Sequence, residues 1–386
     1  MSENQGERSR SLSQTLAVQT QVHLPGTAGR LLKQIRDLER VAPLFVKSRL
    51  VRSVDRPKPL SIRVAGIATR AGTKRVAGGY LYAAAACRMD IAVQDNVVST
   101  CGQDSSCHID DIDYEDQAKR FQLMGVRQAY ELADRALKSA EPLDAILVDC
   151  PLLLNRSMEA PNKERYSGYR ALYNETLSAI EQFWQQHRER LFPWNPKGPM
   201  LAGIASERYG AIIAVAQQDL RTEEGCRHVL HVDELDQEVL RDLYGAEKAI
   251  SGIGERRFIH GILGSFTRTA AFRMSTQTPR MEPETVMAAG VIGLHYAAGP
   301  GTPARLLELV GDEPGWKAAD LDRLVGAVMA LTVVAGRQAW PLPVQLAERE
   351  LNALDGFLKH YRHCLHEEMK SKEIEDVWLS ELDELN

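Results

Sequence analysis

Apolar positions recur at helical spacing in several long stretches of the chain and at strand spacing in shorter ones. Over 27–48, "TAGRLLKQIRDLERVAPLFVKS", Leu31, Ile35, Leu38 and Val41 share a face and predict a helix that Pro43 interrupts. Residues 60–67 read as a buried strand that stops at a small residue, Ala68. Two more strands are predicted over about 76–87 and 88–99, and their closeness in sequence predicts an antiparallel meander. Residues 100–115 are polar and acidic and read as a loop. A long helix is predicted over about 116–138, with Leu123, Val126, Tyr130, Ala133 and Leu137 on one face. "DAILVD" (144–149) is a short apolar run between Pro142 and Pro151, as expected of a central strand covered on both faces. A second long helix follows at about 164–189, then a strand at 199–206 and a helix capped by Ser206.

The second half begins with a helical, partly basic region at about 234–275. Residues 285–299 and 303–311 read as two strands joined by a Gly/Pro turn, followed by a helix at 318–335. In "WPLPVQLAERELNAL" the Pro-rich part must be extended and the rest helical. The order β-β-β-α-β-α-β in the first half is that of a ribonuclease H-like α/β fold: a mixed sheet flanked by helices, here with a C-terminal β-hairpin and helical elaborations. The predicted organisation is a disordered 1–22, one folded unit over 23–366 and an acidic tail over 367–386. Within the unit the core is 58–220, a helical insertion covers about 234–280, and the elaboration is 283–366.

Charge narrows the function classes. A net charge of −5 over 386 residues argues against a protein that coats DNA, but not against a local basic path. Basic residues gather in "TRAGTKR" (69–75), in "GERRF" and at Arg268, Arg273 and Arg280. No apolar run reaches the roughly 18 residues that span a membrane, and the polar start "MSENQGERSRSLSQ" has no secretory core. The six cysteines are too scattered for a disulfide framework, so a cytoplasmic protein is expected. "CGQDSSCH" offers Cys101, Cys107 and His108 as zinc ligands but no fourth, and otherwise reads as a loop with two free thiols.

Asp149 is the strongest single candidate for chemistry. A carboxylate at the end of an apolar strand is costly unless it binds a metal or finds hydrogen-bond donors, and sheet mouths are where α/β sites form. The plainer alternative is that it caps the turn before Pro151. One carboxylate does not hold a metal: two-metal phosphodiester cleavage needs several acidic groups around ions roughly 4 Å apart. The expected neighbour strand ends at Ala68, where a nuclease of this fold would carry an aspartate.

Three landmarks in order, "VAGIATRAGTKRVAGGYLY", "ILVDCPLLL" and "WPLPVQLAERELNAL", resemble those of the NurA family of DNA-end-processing nucleases, which work with the HerA hexameric translocase. The resemblance spans 60 to about 355. It implies a Mn²⁺- or Mg²⁺-dependent homodimer that cuts single-stranded DNA and resects ends 5′ to 3′, fed by a HerA-type ATPase, in DNA repair or antiviral defence. Carried over by position, Asp149 matches the second metal aspartate, Glu131 the helical glutamate, and Glu348 stands where the family has histidine. Ala68 stands where the family has its first metal aspartate, so the centre is expected to be inactive, either through natural degeneration or through deliberate replacement. The intact "TR" and "GGYLY" around it favour replacement.

Arg70, Lys74 and Arg75 beside the proposed mouth are candidates to hold phosphates, and Arg256 and Arg257 to line a DNA groove. The alternative for both groups is a solvated surface. Tyr80 and Tyr82 read as core before stacking platform, and His260 and His295 as core histidines. No P-loop is present, so ATP hydrolysis is left to a partner. The rival function is a non-catalytic adaptor that docks on a hexameric DNA translocase through its terminal segments, including Val377, Trp378 and Leu379. An RNA-binding module or structural dimer has no feature beyond the basic loops in its favour.

Overall fold

The computed structural model describes residues 11–55, 60–76, 79–95, 97–112, 117–139, 141–154, 156–159, 166–205, 217–274, 290–299, 302–335, 338–370 and 372. The strands in chain order are β1 Val51–Ser53, β2 Ile62–Val76, β3 Gly79–Gln94, β4 Val97–Ile112, β5 Ala145–Val148, β6 Met200–Ala205, β7 Thr267–Thr269, β8 Phe272–Met274, β9 Val291–Ala297, β10 Arg305–Val310, β11 Thr332–Ala335 and β12 Gln338–Pro341. The helices are α1 Leu12–Lys47, α2 Gln117–Lys138, α3 Ser167–His187, α4 Glu223–Cys226, α5 Gln237–Gly245, α6 Glu247–Ser251, α7 Glu255–Ile262, α8 Ala318–Leu331, α9 Leu342–Glu350 and α10 Ala353–Lys370.

The described residues build one ten-stranded mixed sheet in the order β1-β7-β9-β10-β6-β5-β2-β3-β4, with β8 pairing β9 off that path. β2, β3 and β4 are an antiparallel meander, while β5 joins β2 and β6 in parallel. Helices cover both faces, and the mixed α/β class read from the sequence is the observed one. The small residues explain how. Ala65, Ile67 and Ala86 face α2 in one apolar cluster. Ala68, Ala83 and Ala85 turn the other way, into a cluster with Val344 and Ala347 of α9. A strand crowded by helices on both sides needs short side chains, which accounts for the "AAAA" run of β3.

Several boundaries differ from expectation. The predicted loop 100–115 is mostly strand, because β4 is an edge strand whose polar side chains meet solvent instead of a second layer. The strands expected at 76–87 and 88–99 are one continuous β3 and the start of β4. Residues 12–22 are helical, which corrects the expected disorder of 1–22 for that part. Pro43 does not interrupt α1, whose last turns are held by buried Val41 and Phe45. The basic region closes on two short strands, β7 and β8, since 267–274 pairs with β1 and β9. The hairpin β9–β10 is not an appendage: β10 pairs with β6 and carries the main sheet onward. The predicted Ser206-capped helix falls largely outside the described residues, as does most of the tail. Among the described residues no helix is long and apolar enough to cross a membrane.

Candidate active site

β2 does not stop at Ala68 as expected but continues to Val76, paired with β3 throughout, so the end of β5 lies beside the middle of β2. Their parallel register runs from Val64 opposite Ala145 to Ile67 opposite Val148, and the Asp149 amide continues it by donating to the Ile67 carbonyl at 3.0 Å. There β5 ends and the side chain of Asp149 takes over. Its carboxylate accepts the Thr69 backbone N–H at 2.9 Å and the Thr69 hydroxyl at 3.1 Å. It therefore stands where the next ladder acceptor would be. Burial pushes Asp149 up to about 7; the two Thr69 bonds oppose the shift, and the charge of Glu348 adds to it.

Glu348 is brought there by α9, which lies directly on β2. A Cβ at Gly66 would sit 2.3 Å from the Pro343 carbonyl carbon and the Val344 nitrogen, so only glycine admits the helix. Residue 68, two positions along, shares the face of Gly66. Glu348 lies one helical turn beyond Val344, is half-buried and acts on Asp149. Of the positions named from sequence, Ala68 precedes the Thr69 that holds Asp149, and the charge of Glu348 reaches Asp149. Ala68 is fully buried and pairs across β3 with Cys87, whose thiol burial pushes up to about 11.

Glu131 does not join them. It accepts from Ser106 of β4 at 2.9 Å and pairs with Arg135 one turn along α2. β4 lies two strands from β2, about 10 Å at ordinary strand spacing. The sheet-facing positions of α2 are instead Gly125, against Thr69, and buried Gln128, which donates to the Ala84 carbonyl at 2.8 Å.

The basic candidates are dispersed. Arg70 donates to Asn352 at 2.6 Å and Asp355 at 2.9 Å, tying β2 to the elbow between α9 and α10. Lys74 is half-buried on β2, and Arg75 follows it, its side chain outside the described residues. Arg256 and Arg257 are on α7, which packs on α1 at the β1 end of the sheet; Arg257 donates to Gln34, and Arg256 is exposed. Tyr82 packs on Phe121, with ring centroids 5.4 Å apart, and is core, as is the fully buried His295. Cys107 and His108 are consecutive on β4 and so point to opposite faces, which breaks up the zinc set.

Two site features escaped the sequence reading. Thr69 supplies both donors to Asp149. Glu308, buried on β10, reaches past Gly203 of β6 and accepts the Leu152 N–H at 3.1 Å, holding the loop after Asp149. A Cβ at Gly203 would lie 2.8 Å from the Cys150 carbonyl oxygen. A single acid inside the apolar "RLLELV" was the available signal.

The whole architecture is similar to that of solved NurA nucleases. Against the NurA nuclease from Sulfolobus solfataricus the TM-score is 0.53 at 11% identity, over 91% of this chain and 98% of that one. A second NurA structure gives 0.46 at 13% identity, over 97% and 100%, and one bound to dAMP and manganese gives 0.41 at 10%, over 88% and 93%. The chain has a NurA-like nuclease fold. No family model and no curated protein matches the sequence.

The residues present do not fit the divalent ion that the resemblance implies. Among the described residues no group of three His, Cys, Asp or Glu side chains is placed to hold one. Both Asp149 oxygens already accept hydrogen bonds, its raised pKa works against the charged form, and Ala68 offers no oxygen.

Proposed function

We propose that this chain is a DNA nuclease subunit of NurA type whose own centre is silent because residue 68 carries no carboxylate. The placement of Asp149 at the end of β5, held by Thr69 next to Ala68 and within reach of the charge of Glu348 on α9, supports this reading. In a cutting relative of this fold, carboxylates at such a mouth would hold Mn²⁺ or Mg²⁺ to activate water and stabilise a leaving oxygen. Here the chain binds single-stranded DNA or duplex ends without efficient cutting. A HerA-type hexameric ATPase delivers the strand, since the sequence has no P-loop. The chain acts as a homodimer in DNA repair or antiviral defence. Lys74, six residues beyond position 68 on β2, is the candidate phosphate contact, with Arg70 between them fixing the elbow. Arg256 and Arg257 lie too far along the sheet to serve the same strand segment. Glu131 acts as a surface ion-pair partner.

The missing carboxylate also favours a second reading, a non-catalytic adaptor on a hexameric translocase. Single-stranded DNA cleavage with Mn²⁺ separates the two. Ala68→Asp is expected to cut at least about a hundredfold faster than the native chain. Ala68→Asn, similar in size but uncharged, is expected to stay silent. A folded Ala68→Asp protein that does not cut leaves the adaptor reading standing.

A further inference from the structure

α10 is fixed to the sheet by its first half. It packs on β2 and β3, and Leu354 and Leu358 are its buried residues. Arg70 ties down the elbow before it, and Leu358 lies over Gly72. From there the helix runs on to Lys370 without another buried residue. A helical stretch of that length is marginal in water on its own, so a tie within these last turns would have a large effect.

The solvent face of the stretch gathers metal-ligating groups. His360, His363, Cys364 and Glu367 are all exposed, and their i, i+3, i+4, i+7 spacing keeps them within about 100° around the helix axis. His360 and Cys364 already meet. The thiol sulfur lies 3.4 Å from His360 Nε2, close enough for the two to share one proton. Two ligands of one tetrahedral zinc ion, at about 2.3 Å for sulfur and about 2.0 Å for nitrogen, stand about 3.6 Å apart. An ion can therefore take the place of the shared proton with little change in that separation. The other exposed thiols differ: Cys101 and Cys107 are on β4, and Cys101 donates to the Ser99 carbonyl at 3.7 Å.

Ligand chemistry selects the ion. Thiolate and imidazole suit Zn²⁺ and its neighbours, whereas Mg²⁺ and Mn²⁺ prefer carboxylate and water oxygens. We propose that His360 Nε2 and Cys364 Sγ bind a zinc-class ion as a clip across one turn of α10, with water filling its other positions, and that the clip firms the C-terminal half of the helix. The balance is simple: bonds from sulfur and nitrogen to the ion form, and the thiol releases its proton to solvent. His363 and Glu367 share the face, but among the described residues no group of three such side chains is placed around one ion. The clip is thus a two-ligand site of micromolar affinity. It stands on α10 alone, independently of the nuclease reading.

Co²⁺, which takes zinc sites and reports thiolate ligation by its absorption, is the probe. Added to the reduced full chain at neutral pH, it is expected to raise a thiolate-to-cobalt charge-transfer band that Zn²⁺ removes and Mg²⁺ does not. Cys364→Ser should abolish the band. His360→Ala should weaken binding at least about tenfold, the loss that even an outer-shell partner causes. Both positions are exposed, so the fold should be kept. The double change Cys101→Ser, Cys107→Ser should leave the band intact. Hydrogen exchange beyond Leu358 should slow on adding Zn²⁺ in the native chain and not in Cys364→Ser. No band at micromolar Co²⁺, a band that survives Cys364→Ser or is lost with the β4 thiols, or exchange that Zn²⁺ does not slow overturns the proposal.

Discussion

At the residue scale, Asp149 is a carboxylate that the fold keeps close to neutral. Its raised pKa means that the native state holds a proton which the unfolded state has released. The resulting stability is fully present below the ordinary carboxylate pKa near 4 and is lost as pH rises through about 7. Asp149→Asn can accept the Thr69 N–H and donate to its hydroxyl without this dependence. The variant is expected to be more stable than the native chain at pH 8, by as much as about 4 kcal/mol, with the gap closing toward pH 4. Urea melts across that range check it; a gap that is absent, or that widens in acid, contradicts the burial account. Thr69→Val, which removes one donor, should move the Asp149 titration still higher by NMR. Asp149 was legible from sequence because a charge at the end of "AILV" is conspicuous. Thr69 was not, since a threonine in an exposed-looking basic turn signals nothing until the register is known. Glu131 was misplaced by helix phase: it follows sheet-facing Gln128 by three residues and swings past the sheet to β4.

At the element scale, α9 sits on β2 only because Gly66 lets the strand backbone meet the helix backbone at Pro343 and Val344. Gly66→Ala would force the helix away, since the obstructing atoms are backbone. A loss of about 3 kcal/mol or more is expected from such overpacking. Gly72→Ala meets only the flexible end of Leu358, at 2.7 Å, and should cost under about 1.5 kcal/mol. Chemical denaturation of the pair checks the order, and equal losses would contradict the proposed seating of α9. Helices and central strands were legible from periodicity because both faces of the sheet are covered. β4 was not, because a solvated edge strand has the composition of a loop.

At the scale of the whole molecule, the sheet runs unbroken from the β1 edge to the long β2-β3-β4 meander, with the candidate site at its centre. The succession of α2, β5, α3 and β6 was readable from sequence, whereas β1 was not expected and the β3–β4 boundary was misplaced. The insertion of β9 and β10 between β6 and β7 was not readable either, since antiparallel pairing over that separation leaves no local pattern. The central claim of the proposed function is that the centre is silent for want of a carboxylate at position 68, next to the Thr69 that holds Asp149. Electron paramagnetic resonance of added Mn²⁺ tests it most directly. The native chain should leave the ion free at about 100 µM, within the range where weak carboxylate sites fill. Ala68→Asp should bind it, and adding Asp149→Asn should abolish that binding. Tight Mn²⁺ binding by the native chain, or none by folded Ala68→Asp, would contradict the account.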